Sequence, residues 1–266
     1  MYRHHAVWGL ALWLSCALAV LVFPATAARA TPVATEVVVY ANTFSSAVGS
    51  EWSLARMGTT PLKTATYGGF LGPFSKDPSS GDESVTLMLS EMPSGLYHVT
   101  FDLLIIKSWD GVEEFHDAVA DRWSVGLDGH APLLVTSFSK NLNRQTYPDS
   151  FNPALYDLSN PNPAARYTGP SHPADTAAFE KNQLGFTFPG VGIQDAVYKM
   201  DFVFPLADPN MVLRFAGLGL DSAADAGWGL DNVVVARVPE PATLLSALLG
   251  ALALLAAARG MRARRG

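Results

Sequence analysis

Between residues 31 and 238, hydrophobic and polar positions alternate in short runs. The stretch "SVTLMLS" (Ser84–Ser90) sets Val85, Leu87 and Leu89 on one side and Thr86 and Met88 on the other. That is the period of two of a half-buried strand. "LYHVTFDLLIIKS" lines up Tyr97, Val99, Phe101, Leu103 and Ile105 on one face, and "EVVVYANTF" (Glu36–Phe44) opens with β-branched residues. Further runs of the same kind are "RWSVGLDG", "PLLVTSFS", "VYKMDFVFP", "MVLRFAGLGL" and "GWGLDNVVVARV", with Gly, Pro, Asn or Asp at nearly every junction. No long amphipathic helical period interrupts them. Many short strands over about 200 residues predict an all-β, two-sheet β-sandwich, jelly-roll-like in form, with ample apolar sequence for a core. The longest irregular stretch, Asn141–Gly190, is rich in Pro, Asn, Ser and Tyr and reads as ordered surface loops.

The pattern changes at both ends. Arg3 precedes an apolar run from Ala6 to Phe23, then Pro24 and the small-x-small triplet Ala28-Arg29-Ala30. This predicts a signal peptide over residues 1–30, cut by signal peptidase after Ala30; the alternative is a retained N-terminal anchor. At the other end, Ala242–Ala258 is an uncharged Leu/Ala run of about 17 residues, or roughly 25 Å of helix, at the short end for a membrane span. Arg259, Arg262, Arg264 and Arg265 follow and would hold that end in the cytoplasm by the positive-inside rule. Pro239 and Pro241 forbid regular helix just before it. The organisation expected is a signal peptide (1–30), an exported body (31–238) and a C-terminal segment (239–266) made of turn 239–241, transmembrane helix 242–258 and basic tail 259–266. The precursor would sit in the inner membrane with its body on the periplasmic side.

Composition narrows the partners. The 266 residues are 49% hydrophobic and 16% charged, with net charge −6. The body holds 12 of the 18 Lys and Arg and 23 of the 24 acidic residues, a net −11. An acidic body argues against nucleic acid, whose phosphates need a positive face. Cys16, the lone cysteine, lies within the signal run, so the mature chain would have neither disulfide nor thiolate metal site.

The tail "VPEPATLLSALLGALALLAAARGMRARRG" resembles the PEP-CTERM sorting signal of Gram-negative bacteria, with its Pro-Glu-Pro motif, hydrophobic helix and basic end in order. The resemblance covers about the last 28 residues. It implies recognition by exosortase, a membrane-embedded cysteine peptidase or transpeptidase, and transit to the cell surface or exopolysaccharide matrix. Pro239, Glu240 and Pro241 are the positions that carry over, as substrate residues.

A second resemblance lies in "GWGLDNVVV". Trp228, Leu230, Asp231, Asn232 and Val233 are similar to the closing strand of exported jelly-roll modules. In carbohydrate-binding modules of that shape the equivalent aspartate often helps hold a structural calcium. Asp231 and Asn232 offer oxygens suited to calcium, and Glu36 is the partner expected if first and last strands adjoin. The other reading of Asp231 is a carboxylate bonding backbone amides at a strand crossing.

"KSWDGVEEFHDAVADRWSVGLDG" gathers Trp109, Asp110, Glu113, Glu114, His116, Asp117, Asp121 and Trp123. Trp109 and Asp110 are the candidate glycan pair, a flat apolar platform beside a carboxylate that accepts hydroxyl protons. Against it stands an acidic hairpin whose tryptophans tuck into the sandwich. No G-x-S-x-G, HExxH or phosphate-cradling Gly-rich loop is present, and His98, His116, His130 and His172 lack ligand spacing. The expectation is a non-catalytic exported surface or matrix protein, with no cofactor beyond a structural calcium. A calcium-stabilised carbohydrate-binding module and a polysaccharide-active enzyme are the alternatives.

Overall fold

The computed structural model describes residues 36–62, 67–77, 81–113, 120–140 and 143–239. The signal run with its cleavage position after Ala30, Glu240 and Pro241, the 242–258 run, and Arg259, Arg262, Arg264 and Arg265 lie outside them. So do Glu114, His116 and Asp117. Among the described residues no helix is long and apolar enough to cross a membrane.

The chain is all-β. Its early strands are β1 (Val37–Asn42), β2 (Met57–Thr59), β3 (Gly69–Phe74), β4 (Lys76–Asp77), β5 (Gly81–Asp82) and β6 (Ser84–Leu89). Then come β7 (Gly95–Lys107), β8 (Arg122–Leu127) and β9 (Leu134–Thr136). Beyond the loop region lie β10 (Glu180–Lys181), β11 (Thr187–Phe188), β12 (Gly192–Ile193), β13 (Asp195–Leu206), β14 (Met211–Leu218) and β15 (Ala226–Val238). One sheet runs β10-β13-β7-β15-β3-β2, with β1 also pairing β15. The other runs β6-β14-β8-β9. All pairings in both are antiparallel.

The two sheets form a sandwich because each presents an alternating apolar face. Tyr97, Val99, Phe101, Leu103 and Ile105 of β7 are all buried in the main core, as the alternation predicted. Val85 and Leu87 join them from β6, while Met88 points outward at 45% exposure. Across the gap Phe101 meets Phe215 edge-on at 5.2 Å, and Trp123 meets Trp228 at 6.3 Å. Such edge-to-face contacts suit the ring quadrupoles. The outer face of the larger sheet carries a smaller cluster of Tyr67, Phe70, Leu104, Ile106, Leu184 and Val197.

The Asn141–Gly190 stretch contains two short 3-10 turns, Pro153–Leu155 and Pro163–Ala165, and the short strands β10 and β11. Phe151 and Tyr167 stack at 5.1 Å above Val112 and Ala120. Lys140, almost wholly buried, holds Asp175 at 2.8 Å.

Register gives the body two distinct ends. Val37 pairs with Arg237, Leu96 with Val238, and Gly95 with Leu206. The start of β1, the start of β7 and the end of β15 therefore share one pole, here the exit pole. The far pole holds Lys107 paired with Ala226, and Ile106 paired with both Gly227 and Asp195.

Candidate functional site

The "GLDN" segment of β15 makes a β-bulge, a register break between Asp231 and Val234. Asn232 takes the left-handed conformation there, with φ of 50°. Asparagine tolerates that conformation better than most residues, because its short polar side chain bonds locally. Its Nδ2 donates to Asp102 Oδ2 at 2.8 Å, and its backbone N–H donates to Asp231 Oδ1 at 2.7 Å.

Lys199, Asp102 and Asp231 face one another across β13, β7 and β15. The Lys199 ammonium donates to Asp102 Oδ2 at 2.7 Å. Asp102 and Asp231 are both nearly buried, and the ammonium bonds Asp102. Burial, reinforced by the charge of Asp102 and opposed by the Asn232 N–H bond, pushes the Asp231 carboxyl up to about 7. Beside the row lies a cavity of about 350 Å³ lined by Thr100, Asp102, Lys199, Asp201 and Asn232.

The expected partnership of Asp231 with Glu36 does not form. First and last strands do adjoin, but Glu36 precedes Val37, which pairs with Arg237. At about 3.3 Å per residue, the six strand positions between Asp231 and Arg237 amount to roughly 20 Å. Glu36 instead bonds His98 Nδ1 at 2.9 Å, while His98 Nε2 meets Asp201 at 2.9 Å. These carboxylates raise the His98 pKa above its ordinary value, the Glu36 bond contributing most, against a smaller effect of burial. Asp231 instead accepts the backbone N–H of Asn232.

The glycan pair is also separated. Trp109 is fully buried, its Nε1–H donates to the Gly227 carbonyl at 2.8 Å, and Phe138 packs edge-on against it at 6.0 Å. Its ring face is therefore unavailable to a sugar. Trp123 is likewise fully buried. Asp110 is half-buried near the far pole, where its backbone N–H donates to Asp121 at 3.2 Å and its carbonyl accepts from Asn143 at 3.0 Å. Gly111 follows with φ of 67°, and a Cβ there would collide with the Arg144 carbonyl.

Asp110 meets two residues the sequence did not single out as ligands. One carboxylate oxygen each from Asp110, Asp221 and Asp225 lies within 4.8 Å of the others. Two oxygens on one calcium, each at about 2.4 Å, are at most about 4.8 Å apart, so the spacing fits part of such a shell. Asp221 belongs to "GLGLDS" and Asp225 follows four residues later, more than 100 residues from Asp110. No local pattern joins them.

Of the expected Pro239-Glu240-Pro241 motif only Pro239 is described: Val238 ends β15 and Pro239 follows outside the strand.

No protein-family model matches the chain, and no curated protein does. Solved structures do. One is a family GH115 4-O-methyl-alpha-glucuronidase with specificity for decorated arabinogalactans (TM-score 0.36, 14% identity). That likeness covers 80% of this chain but only 19% of the glucuronidase. The K3 cleaved adhesin domain of Lys-gingipain from Porphyromonas gingivalis aligns over 75% of this chain and 99% of its own, with TM-score 0.34 and 15% identity. The K1 cleaved adhesin domain of the same protein aligns over 74% and 96%, with TM-score 0.35 and 9% identity.

Proposed function

We propose that this is a non-catalytic, exported β-sandwich protein of the cell surface or exopolysaccharide matrix, jelly-roll-like in topology and sorted through a PEP-CTERM signal by an exosortase. The observation that carries the reading is the pairing of Val37 with Arg237 at the exit pole. A precursor inserted at both ends needs its body to begin and end on one side, and this register supplies that. Pro239-Glu240-Pro241 is all that separates β15 from the apolar run, a reach of about 10 Å when extended. The exit pole then faces the bilayer. β15, 13 residues long, carries the far pole roughly 40 Å outward.

The test is processing of the tagged full-length chain in a Gram-negative host with and without its exosortase. Loss of the tail and release from the inner membrane are expected only with exosortase, and replacing Pro239, Glu240 and Pro241 with alanine should retain the precursor. Identical processing in both hosts would overturn the sorting role. Release of reducing sugar from polysaccharide by the purified chain would overturn the non-catalytic one.

A further inference from the structure

We infer that the far pole carries a pocket for an acidic sugar, a uronic-acid residue whose carboxylate meets Lys76, Lys107 and Arg56 while its ring rests on Pro73 and Phe186. The cavity measures about 280 Å³ and is lined by these residues together with Glu83. That volume falls just short of the ~300–1,000 Å³ typical of drug-sized ligand pockets and suits one sugar ring.

Its charge stands out against the body. Three of the 12 cations between residues 31 and 238 line this one cavity, against a single carboxylate. Arg56 is paired with Glu83, so the lining carries a formal +2 from Lys76 and Lys107, although Asp82 pairs with Lys76 across β4 and β5. Asp221 and Asp225 flank the pocket residue Ala223 but line no part of it. A cation-rimmed cavity in an acidic surface selects an anion through the local field.

The walls are held in place before any ligand arrives. Arg56 grips Glu83 with two bonds of 2.7 Å and donates to the Pro73 carbonyl at 3.0 Å. Lys107 adopts a left-handed backbone, φ 65°, with its N–H on the Gln194 carbonyl and its Nζ on the Ala223 carbonyl at 2.7 Å. An ammonium has three donors, so that bond leaves capacity for a carboxylate. Phe186 packs edge-on against Phe70 at 6.0 Å. Its backbone is tied by Asp195, whose fully buried carboxylate accepts the N–H groups of Leu184, Gly185 and Phe186 at 3.0, 2.8 and 3.0 Å. Such preorganisation lowers the ordering cost of binding.

Cations alone would suit any small anion. The accessible apolar surface of Pro73 and Phe186 beside them adds a place for the C–H face of a pyranose, which inorganic phosphate cannot use. The choice of a polysaccharide as the source rests on the exported reading above; the chemistry of the pocket does not.

The experiment titrates a fluorescent galacturonic-acid trisaccharide into the full-length chain in detergent micelles, with neutral galactose trisaccharide and inorganic phosphate as comparators. Saturable binding of the acidic trimer is expected, at least about tenfold tighter than the neutral one and weakened by added salt. Lys76→Gln and Lys107→Gln should each weaken it by roughly threefold, and the double variant by about tenfold. Lys76 is exposed, so Lys76→Gln should keep the parent melting temperature and isolate the charge effect. Equal affinity for acidic and neutral trimers would overturn the inference. So would parent-like binding by a folded double variant, absence of uronate binding, or binding of phosphate alone. A chain that binds uronate yet is not exported would leave the pocket standing and overturn only the polysaccharide source.

Discussion

Replacing Trp109 with alanine tests whether this residue serves a ligand or the core. Its indole is wholly buried, its Nε1–H is bonded to Gly227 at 2.8 Å, and Phe138 closes on it edge-first. A buried tryptophan removes about 150–250 Å² from water, and at about 25 cal/mol per Å² this corresponds to ~4–6 kcal/mol as an upper value. Large-to-small replacements of aromatic residues in cores cost about 3–5 kcal/mol in practice, because the surroundings partly close the cavity. For a cooperative unit of about 200 residues, each kcal/mol moves the melting temperature by about 2–4 °C. Trp109→Ala should therefore melt about 6–20 °C below the parent, followed by near-UV circular dichroism. Trp109→Phe keeps much of the packing but leaves the Gly227 carbonyl without its donor, so a loss of about 1–3 kcal/mol is expected. A Trp109→Ala variant that melts with the parent would refute the core role, because a side chain that can be deleted without cost is not in the core.

Three further outcomes follow from the geometry. The Asp231 carboxyl, at about 7 in the fold against an ordinary value of 3.8, keeps a proton between roughly pH 4 and 7 that the unfolded chain releases. Stability should fall as pH rises through that window, and Asp231→Asn should gain as much as about 4 kcal/mol over the parent at pH 8 and nothing at pH 4; parallel melting profiles would contradict this. His98 is raised above 6.5 by Glu36 and Asp201, so its contribution is complete below pH 6.5 and disappears as pH rises through the folded value. His98→Gln should flatten that slope by no more than about 1 kcal/mol, since Asp201 is well exposed. Lys140→Met leaves Asp175 without its ammonium at a site where only 18% of that side chain is exposed. The expected loss is about 2–4 kcal/mol, with faster proteolysis between residues 143 and 180; unchanged cleavage would show that the pair does not hold the loop.

The sequence by itself determined the strands. Alternation is a local property of the pleated backbone, so Tyr97, Val99, Phe101, Leu103 and Ile105 could be assigned to one buried face without knowing their neighbours. The sorting expectation rests equally on contiguous residues, from Pro239 through Arg265. "GLDN" stood out in the sequence through its resemblance to a jelly-roll closing strand, but the left-handed bulge at Asn232 did not. Only tertiary structure decided that Asp231 faces Asp102 and Lys199 while Glu36 stands at the exit pole with His98. Strand adjacency could be anticipated, but register could not, and it separates two residues on neighbouring strands by most of the sheet's length. Burial likewise decided for Trp109: an aromatic between charged residues looks the same in sequence whether it faces a sugar or Phe138. The Asp110–Asp221–Asp225 group and the pocket of Arg56, Lys76 and Lys107 join segments far apart in the chain. Their proximity depends on how the sheets fold back on one another, and no local pattern encodes that.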